Sequence, residues 1–216
     1  MSYLLRVQLP DRPGSLGALA LALGKVGADI LSLDVVERGD GYAVDDIVVD
    51  LSLGSLPDSI ITAAETLPGV HVDSIRPYAG LLDAHRELEL IDRVATATHD
   101  RLQVLVDITP RVLRVGWCTV IDTGADGVYR VVGSPGAPLT QATEVPWMPL
   151  TKPAVLDGDA DWVPKIWQDM NTKLAAAPLG HTGKVLVLGR PGGPAFRPSE
   201  VARLGYLAGI IGTVLG

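Results

Sequence analysis

The sequence predicts an α+β protein made of two units, and three observations carry that expectation. Its 216 residues are too many for one minimal domain and few for three. Hydrophobic residues make up 47% and charged residues 20%, so either half can bury a core. Residues 1–78 alternate strand-like and helix-like runs in the order βαββαβ, and the pattern then changes to longer amphipathic stretches followed by strands.

Tyr3 to Leu9 mixes continuous and alternating apolar character, as a central strand does. The turn cluster Asp11 to Gly17 stops it. Leu16, Leu19, Ala20, Leu23 and Val26 recur at helical spacing, so a helix opens near Ser15 and ends between Gly24 and Gly27. Ile30 to Val36 form a second strand, Gly39-Asp40-Gly41 a hairpin turn, and a third strand runs from about Ala43 to Leu53. A second helix begins at Leu56-Pro57-Asp58 and buries Ile60, Ile61, Ala64 and Leu67. Pro68-Gly69 ends it, and Val70, Val72 and Ile75 make a last strand that closes at Arg76-Pro77. This order is the ferredoxin-like plan, a four-stranded antiparallel sheet with both helices on one face.

The boundary falls between Pro77 and Asp83, and residues 83–216 form the second unit. Leu81 to Leu105 is amphipathic, and a helical piece continues past Pro110 to Leu113. Trp117 to Asp122 is a strand, Asp122 to Gly127 its turn, and Val128 to Gly133 the returning strand. Residues 134–164 are rich in Pro, Gly and Thr; a helix is expected around Trp162 to Lys173. Strands near Leu174 to Pro178 and Val185 to Leu188 and a helix from about Ser199 complete an α/β/α unit around a central antiparallel sheet.

Composition excludes several functions. A net charge of −7 with no basic run argues against a nucleic-acid partner. The single cysteine, Cys118, forms neither an intrachain disulfide nor a zinc site, which fits a reducing, cytoplasmic location. The N-terminus lacks the pattern of a signal peptide. Leu204 to Gly216 is apolar but shorter than the ~20 residues of a membrane span, so it reads as a packed or dimer-buried helix and no membrane partner is expected.

Two resemblances add to this reading. Val7 to Val35, VQLPDRPGSLGALALALGKVGADILSLDV, with the βαββαβ order that follows, resembles an ACT domain. Pro110 to Asp122, Ala177 to Arg190 and Ala195 to Gly212 resemble segments of a GAF domain. They imply a non-catalytic regulatory sensor that binds an amino acid, works as a homodimer and carries no cofactor.

The loop Asp11, Arg12, Pro13, Gly14, Ser15 and Leu16 is the strongest site candidate. Its backbone N–H groups lie at a helix N-terminus, where an α-carboxylate is held, and Asp11 can accept from an α-ammonium. On spacing alone, Asp11 and Ser15 capping a helix and Gly14 making a turn is the favoured account, because helix caps vastly outnumber ligand sites. The ACT resemblance implies that the loop meets the second strand at Asp29, Ile30, Leu31 and Ser32, often across a dimer interface. In the second unit, Trp147 and Trp162 are candidates for a GAF pocket, and Trp117 reads as core. Asp45, Asp46 and Asp50 read as a solvated sheet edge or hairpin salt bridge rather than a metal site. The Gly189 to Pro194 run lacks the ending of a phosphate loop. The alternative to a sensor is a ligand-free accessory subunit that regulates a partner enzyme or transcription factor.

Overall fold

In the computed structural model, which describes residues 1–52, 54–78, 86–124 and 127–216, the chain divides into two compact units, Met1–Leu82 and Asp83–Gly216. The first runs β1 (Ser2–Pro10), α1 (Ser15–Lys25), β2 (Ala28–Gly39), β3 (Tyr42–Leu51), α2 (Asp58–Glu65) and β4 (His71–Pro77). Its strands are antiparallel in the order β2-β3-β1-β4, so β2 and β4 are the edges. Strand alternation puts Leu5, Val7 and Leu9 of β1 and Ile47, Val49 and Leu51 of β3 on one face. They share a core with Leu19 and Leu23 of α1 and Ile60 and Ala64 of α2, so both helices cover that face.

The other face corrects the expectation of a solvated carboxylate edge. β3 is an inner strand, and Arg6 stands directly across from Asp46 in the register. Arg6 Nε and Nη2 donate to Asp46 Oδ1 and Oδ2 at 2.7 and 2.9 Å, with both side chains at most 2% exposed. Leu4, Val44 and Val48, their neighbours in the register, are buried as well. A bidentate pair lets both charges survive burial. Asp50 is different: hydrogen bonds from the Met1 amine and the Ser2 hydroxyl hold its carboxyl below the usual range.

The second unit runs α3 (Arg86–Thr96), α4 (Arg101–Val112), β5 (Trp117–Gly124), β6 (Gly127–Gly133), β7 (Ala154–Leu156), α5 (Lys165–Asp169), β8 (Lys173–Pro178), β9 (Val185–Arg190) and α6 (Pro198–Leu215). Its sheet is antiparallel in the order β6-β5-β9-β8-β7. Cys118 and Val120 of β5, Ala175 and Ala177 of β8, and Leu186 and Leu188 of β9 pack against α3, α4 and α6. α6 gives Leu204, Leu207, Ala208 and Ile211 to this core and leaves Tyr206 and Ile210 exposed.

The expected α/β/α layering is present on one face only. The other is covered by residues 134–172, whose regular structure is the three-residue β7 and the five-residue α5. The helix expected from Trp162 to Lys173 ends at Asp169 because Asn171 turns left-handed, φ 47°, and Lys173 already belongs to β8. The amphipathic stretch expected from Leu81 to Leu105 is broken between α3 and α4, where Asp100 takes φ 53°; its residues 81–85 lie outside the described ones. Among the described residues no helix is long and apolar enough to cross a membrane.

Candidate functional site

The Asp11 to Leu16 loop leaves β1 beside the β2–β3 hairpin. The Asp11 N–H donates to the Gly41 carbonyl at 3.1 Å, and the Ser15 N–H to the Arg12 carbonyl at 3.2 Å. Gly14, at φ 91°, supplies the left-handed residue from which α1 starts, a conformation that favours glycine. No side chain caps α1, so the capping role open to Asp11 and Ser15 in the sequence is not taken. Asp11, Arg12, Pro13, Gly14 and Leu16 are exposed and Ser15 is half-buried.

Asp29, Ile30, Leu31 and Ser32 lie at the opposite end of the same sheet. Asp29 pairs with Asp50 and Ser32 with Val48, whereas the loop adjoins the end where Pro10 meets Tyr42. Within one chain the two halves of the sequence-derived site therefore do not meet. Ser32 Oγ is buried and has no hydrogen-bond partner. Close to the loop, Asp45 lies on the helix-covered face, where burial pushes its carboxyl up; Arg38 opposes that shift, while Asp46 and Asp11 add to it. One oxygen of this buried carboxylate is unpartnered.

The second unit encloses a different kind of site. Odd-numbered residues of β5, Trp117, Thr119 and Ile121, line a cavity of about 30 Å³ with Val187 of β9 and Arg130 of β6. The 134–172 cover contributes Trp147, Trp162 and Trp167. Trp147 meets Trp162 edge-on at 5.7 Å between ring centroids, and Trp117 meets Trp167 at 4.8 Å, tilted by 58°. Trp117 is thus core and wall at once. Its ring lies against Gly189, where a Cβ would stand 2.0 Å from the indole. The indole N–H groups of Trp117, Trp147 and Trp167 are buried and have no acceptor. Arg130 ties the cover to the sheet: its backbone N–H donates to Gln141 Oε1 at 3.1 Å and its Nη1 to the Pro138 carbonyl at 2.9 Å. Sequence reasoning named Trp147 and Trp162 but missed Arg130 and Trp167, which the sheet register and the cover bring in from separate segments.

Cys118 lies on the opposite face of β5 and is buried, with Sγ 3.3 Å from the Val106 carbonyl. Burial pushes its thiol up to about 12, leaving no thiolate for nucleophilic chemistry at neutral pH. In the Gly189 to Pro194 run, Arg190 is buried, donates to Glu200 Oε1 at 2.7 Å and stacks 4.2 Å over Phe196. Glu200 also accepts from the Arg197 N–H at 2.9 Å, so this arginine anchors the start of α6.

No family model matches the chain. An NAD-dependent malic enzyme of Geobacillus stearothermophilus is 30% identical over 121 residues, 56% of this chain and 24% of that enzyme. The chain thus spans about a quarter of that relative's length. Similar solved structures include two GAF domains. One, from A. aeolicus in an inactive state, shares 13% identity over 61% of this chain and 93% of its own, at a TM-score of 0.46. The other, from an Acinetobacter phosphoenolpyruvate-protein phosphotransferase, shares 12% over 60% and 90%, at a TM-score of 0.39.

Proposed function

We propose that the chain is a non-catalytic regulatory sensor, with an ACT-like first unit that binds an amino acid and a GAF-like second unit that holds a small ligand of its own. The reading of the first unit is carried by one observation, the placement of the loop 11–16 and residues 29–32 at opposite ends of a sheet whose β2 is an edge. Antiparallel pairing of β2 from two copies sets the start of one strand beside the end of the other. The loop of one copy and residues 29–32 of the second then share each of two equivalent corners. Exposed Leu31 and Val35 on β2 and the unpartnered Ser32 hydroxyl support this homodimer. At the corner, the uncapped start of α1 receives the α-carboxylate and Asp11 the α-ammonium. In the second unit, three indole donors without acceptors around one cavity support a ligand there.

A thermal-shift screen against the twenty amino acids tests the first unit. A ligand that prefers the native state at 100 times its Kd adds about 2.7 kcal/mol of apparent stability, so one or a few amino acids raise the midpoint and Asp11→Ala removes the rise. No shift with any amino acid overturns the amino-acid reading. The similarity to a stretch of an NAD-dependent enzyme then favours the second reading, a ligand-free accessory module that regulates a partner enzyme.

A further inference from the structure

The polar groups that line the second unit's cavity are dominated by donors. An indole N–H can only donate, and those of Trp117, Trp147 and Trp167 are buried without an acceptor. The Arg130 guanidinium donates through Nη1 to the Pro138 carbonyl, and no carboxylate pairs with it among the described residues. The Thr119 hydroxyl is committed to the Val132 carbonyl at 2.8 Å, and the Gln141 side-chain oxygen to the Arg130 N–H. No Asp or Glu lines the cavity; Thr140 adds one more hydroxyl, and the aliphatic part of the wall comes from residues such as Ile121, Val128, Val145 and Val187.

A guest that satisfies such a wall carries acceptors and no donor-only group. A cation or a zwitterion brings an ammonium that meets the guanidinium and finds no acidic partner. A neutral molecule leaves the guanidinium charge unmatched. A carboxylate presents two oxygens in the plane that a guanidinium fork fits, and its single charge matches the one cation in the wall. Four tryptophans' worth of ring surface, all between Trp117 and Trp167, suit a flat apolar body.

Building on the reading of this cavity as a ligand site, we propose that it selects planar organic monocarboxylates and rejects the zwitterionic amino acids assigned to the first unit. The cavity of about 30 Å³ has room for water only, so a guest enters as the 134–172 cover moves outward. Arg130 links the two events. A carboxylate that takes its guanidinium replaces the Pro138 carbonyl as acceptor and frees one tie between cover and sheet. Occupancy is thereby converted into a change in the cover's position.

The experiment titrates the full chain with benzoate and phenylacetate, with the isosteric benzamide and phenylacetamide, and with benzylamine. Tryptophan fluorescence and the melting midpoint report binding. The expected result is saturable binding of a carboxylate at least tenfold tighter than its amide, with no response to the amine. In Arg130→Gln the carboxylate affinity falls at least tenfold and that of the amide does not, while Trp147→Phe weakens both. Arg130→Lys, which keeps the charge and loses the fork, retains an intermediate carboxylate affinity and serves if Arg130→Gln fails to fold. Amides or the amine binding as tightly as the carboxylates overturns the monocarboxylate class and leaves the cavity as a ligand site. Silence from every compound overturns both.

Discussion

At Cys118 the surroundings decide the chemistry. The side chain is fully buried among the residues that join β5 to the helices, and burial lifts its thiol from 9.0 to about 12. Hydrogen bonds involving Thr109 and Ser134 oppose the shift without cancelling it. The consequence for stability has a definite sign. The folded state holds the proton more tightly than the unfolded chain does, so the contribution is fully present below the unfolded pKa and is lost as pH rises toward the folded one. Between pH 9 and 12, the stability of the native chain therefore falls with pH more steeply than that of Cys118→Ala, by up to about 1.4 kcal/mol per pH unit. Denaturant titrations of both proteins across that range check it, and parallel slopes would refute a buried, protonated thiol. Asp46 teaches the complementary lesson about residue type. Read along the chain it belongs to an acidic cluster, but across the sheet its neighbour is Arg6, and only the pairing of β1 with β3 supplies that information.

Among the elements, α6 shows how close approach rather than propensity places glycine. A Cβ on Gly212 would stand 2.3 Å from the Gly180 nitrogen and 2.5 Å from the Leu179 carbonyl carbon, both backbone atoms that cannot rotate away. Gly209, one turn earlier in the same helix, has nothing within 4 Å. Gly212→Ala is therefore expected to destabilise the second unit by about 1–3 kcal/mol through overpacking. Gly209→Ala is expected to stabilise it by about 0.5–1 kcal/mol through helix propensity. Melting curves of the two variants should move in opposite directions, and a common direction would mean that α6 does not lie against the β8–β9 turn as described. The sequence showed these glycines and the apolar run around them, yet periodicity says nothing about which glycine touches a neighbouring backbone. The same limit explains where element reading succeeded and failed. The strands and helices of residues 2–77 carry periods of two or about 3.6 and were legible to within a few residues. The cover over the cavity was not, because Val145, Trp147 and Val163 reach the core from irregular segments and Trp167 from the five-residue α5, at spacings that follow neither period. Trp147 and Trp162 stood out as rings in a loop; Arg130 is one of many scattered cations until β6 pairs with β5.

For the whole molecule, the two halves of the proposed amino-acid site impose a test that no single chain can satisfy. If each corner combines the loop of one copy with residues 29–32 of another, Asp11→Ala and Ser32→Trp each abolish both corners of their own homodimer. Mixed and allowed to exchange, the two variants form hybrids in which one corner takes Asp11 from the Ser32→Trp copy and Ser32 from the Asp11→Ala copy. That corner is intact, and the other carries both lesions. Random exchange makes half of the dimers hybrids, so roughly a quarter of all corners regain function. Calorimetric titration of the mixture with the amino acid found in the screen should thus return roughly a quarter of the native stoichiometry at native affinity. A site formed within one chain gives no recovery at any mixing ratio, because each copy keeps its own lesion. The shape of the result matters as much as its size: restored stoichiometry at native affinity requires a shared corner, whereas weak binding at full stoichiometry would show that neither residue is essential. The proposed pairing of two β2 edges would also make the affinity depend on protein concentration, since dilution below the dimer constant would separate the halves of every corner. Loss of binding on dilution, in step with dissociation followed by light scattering, is the behaviour that a sensor assembled from two copies must display.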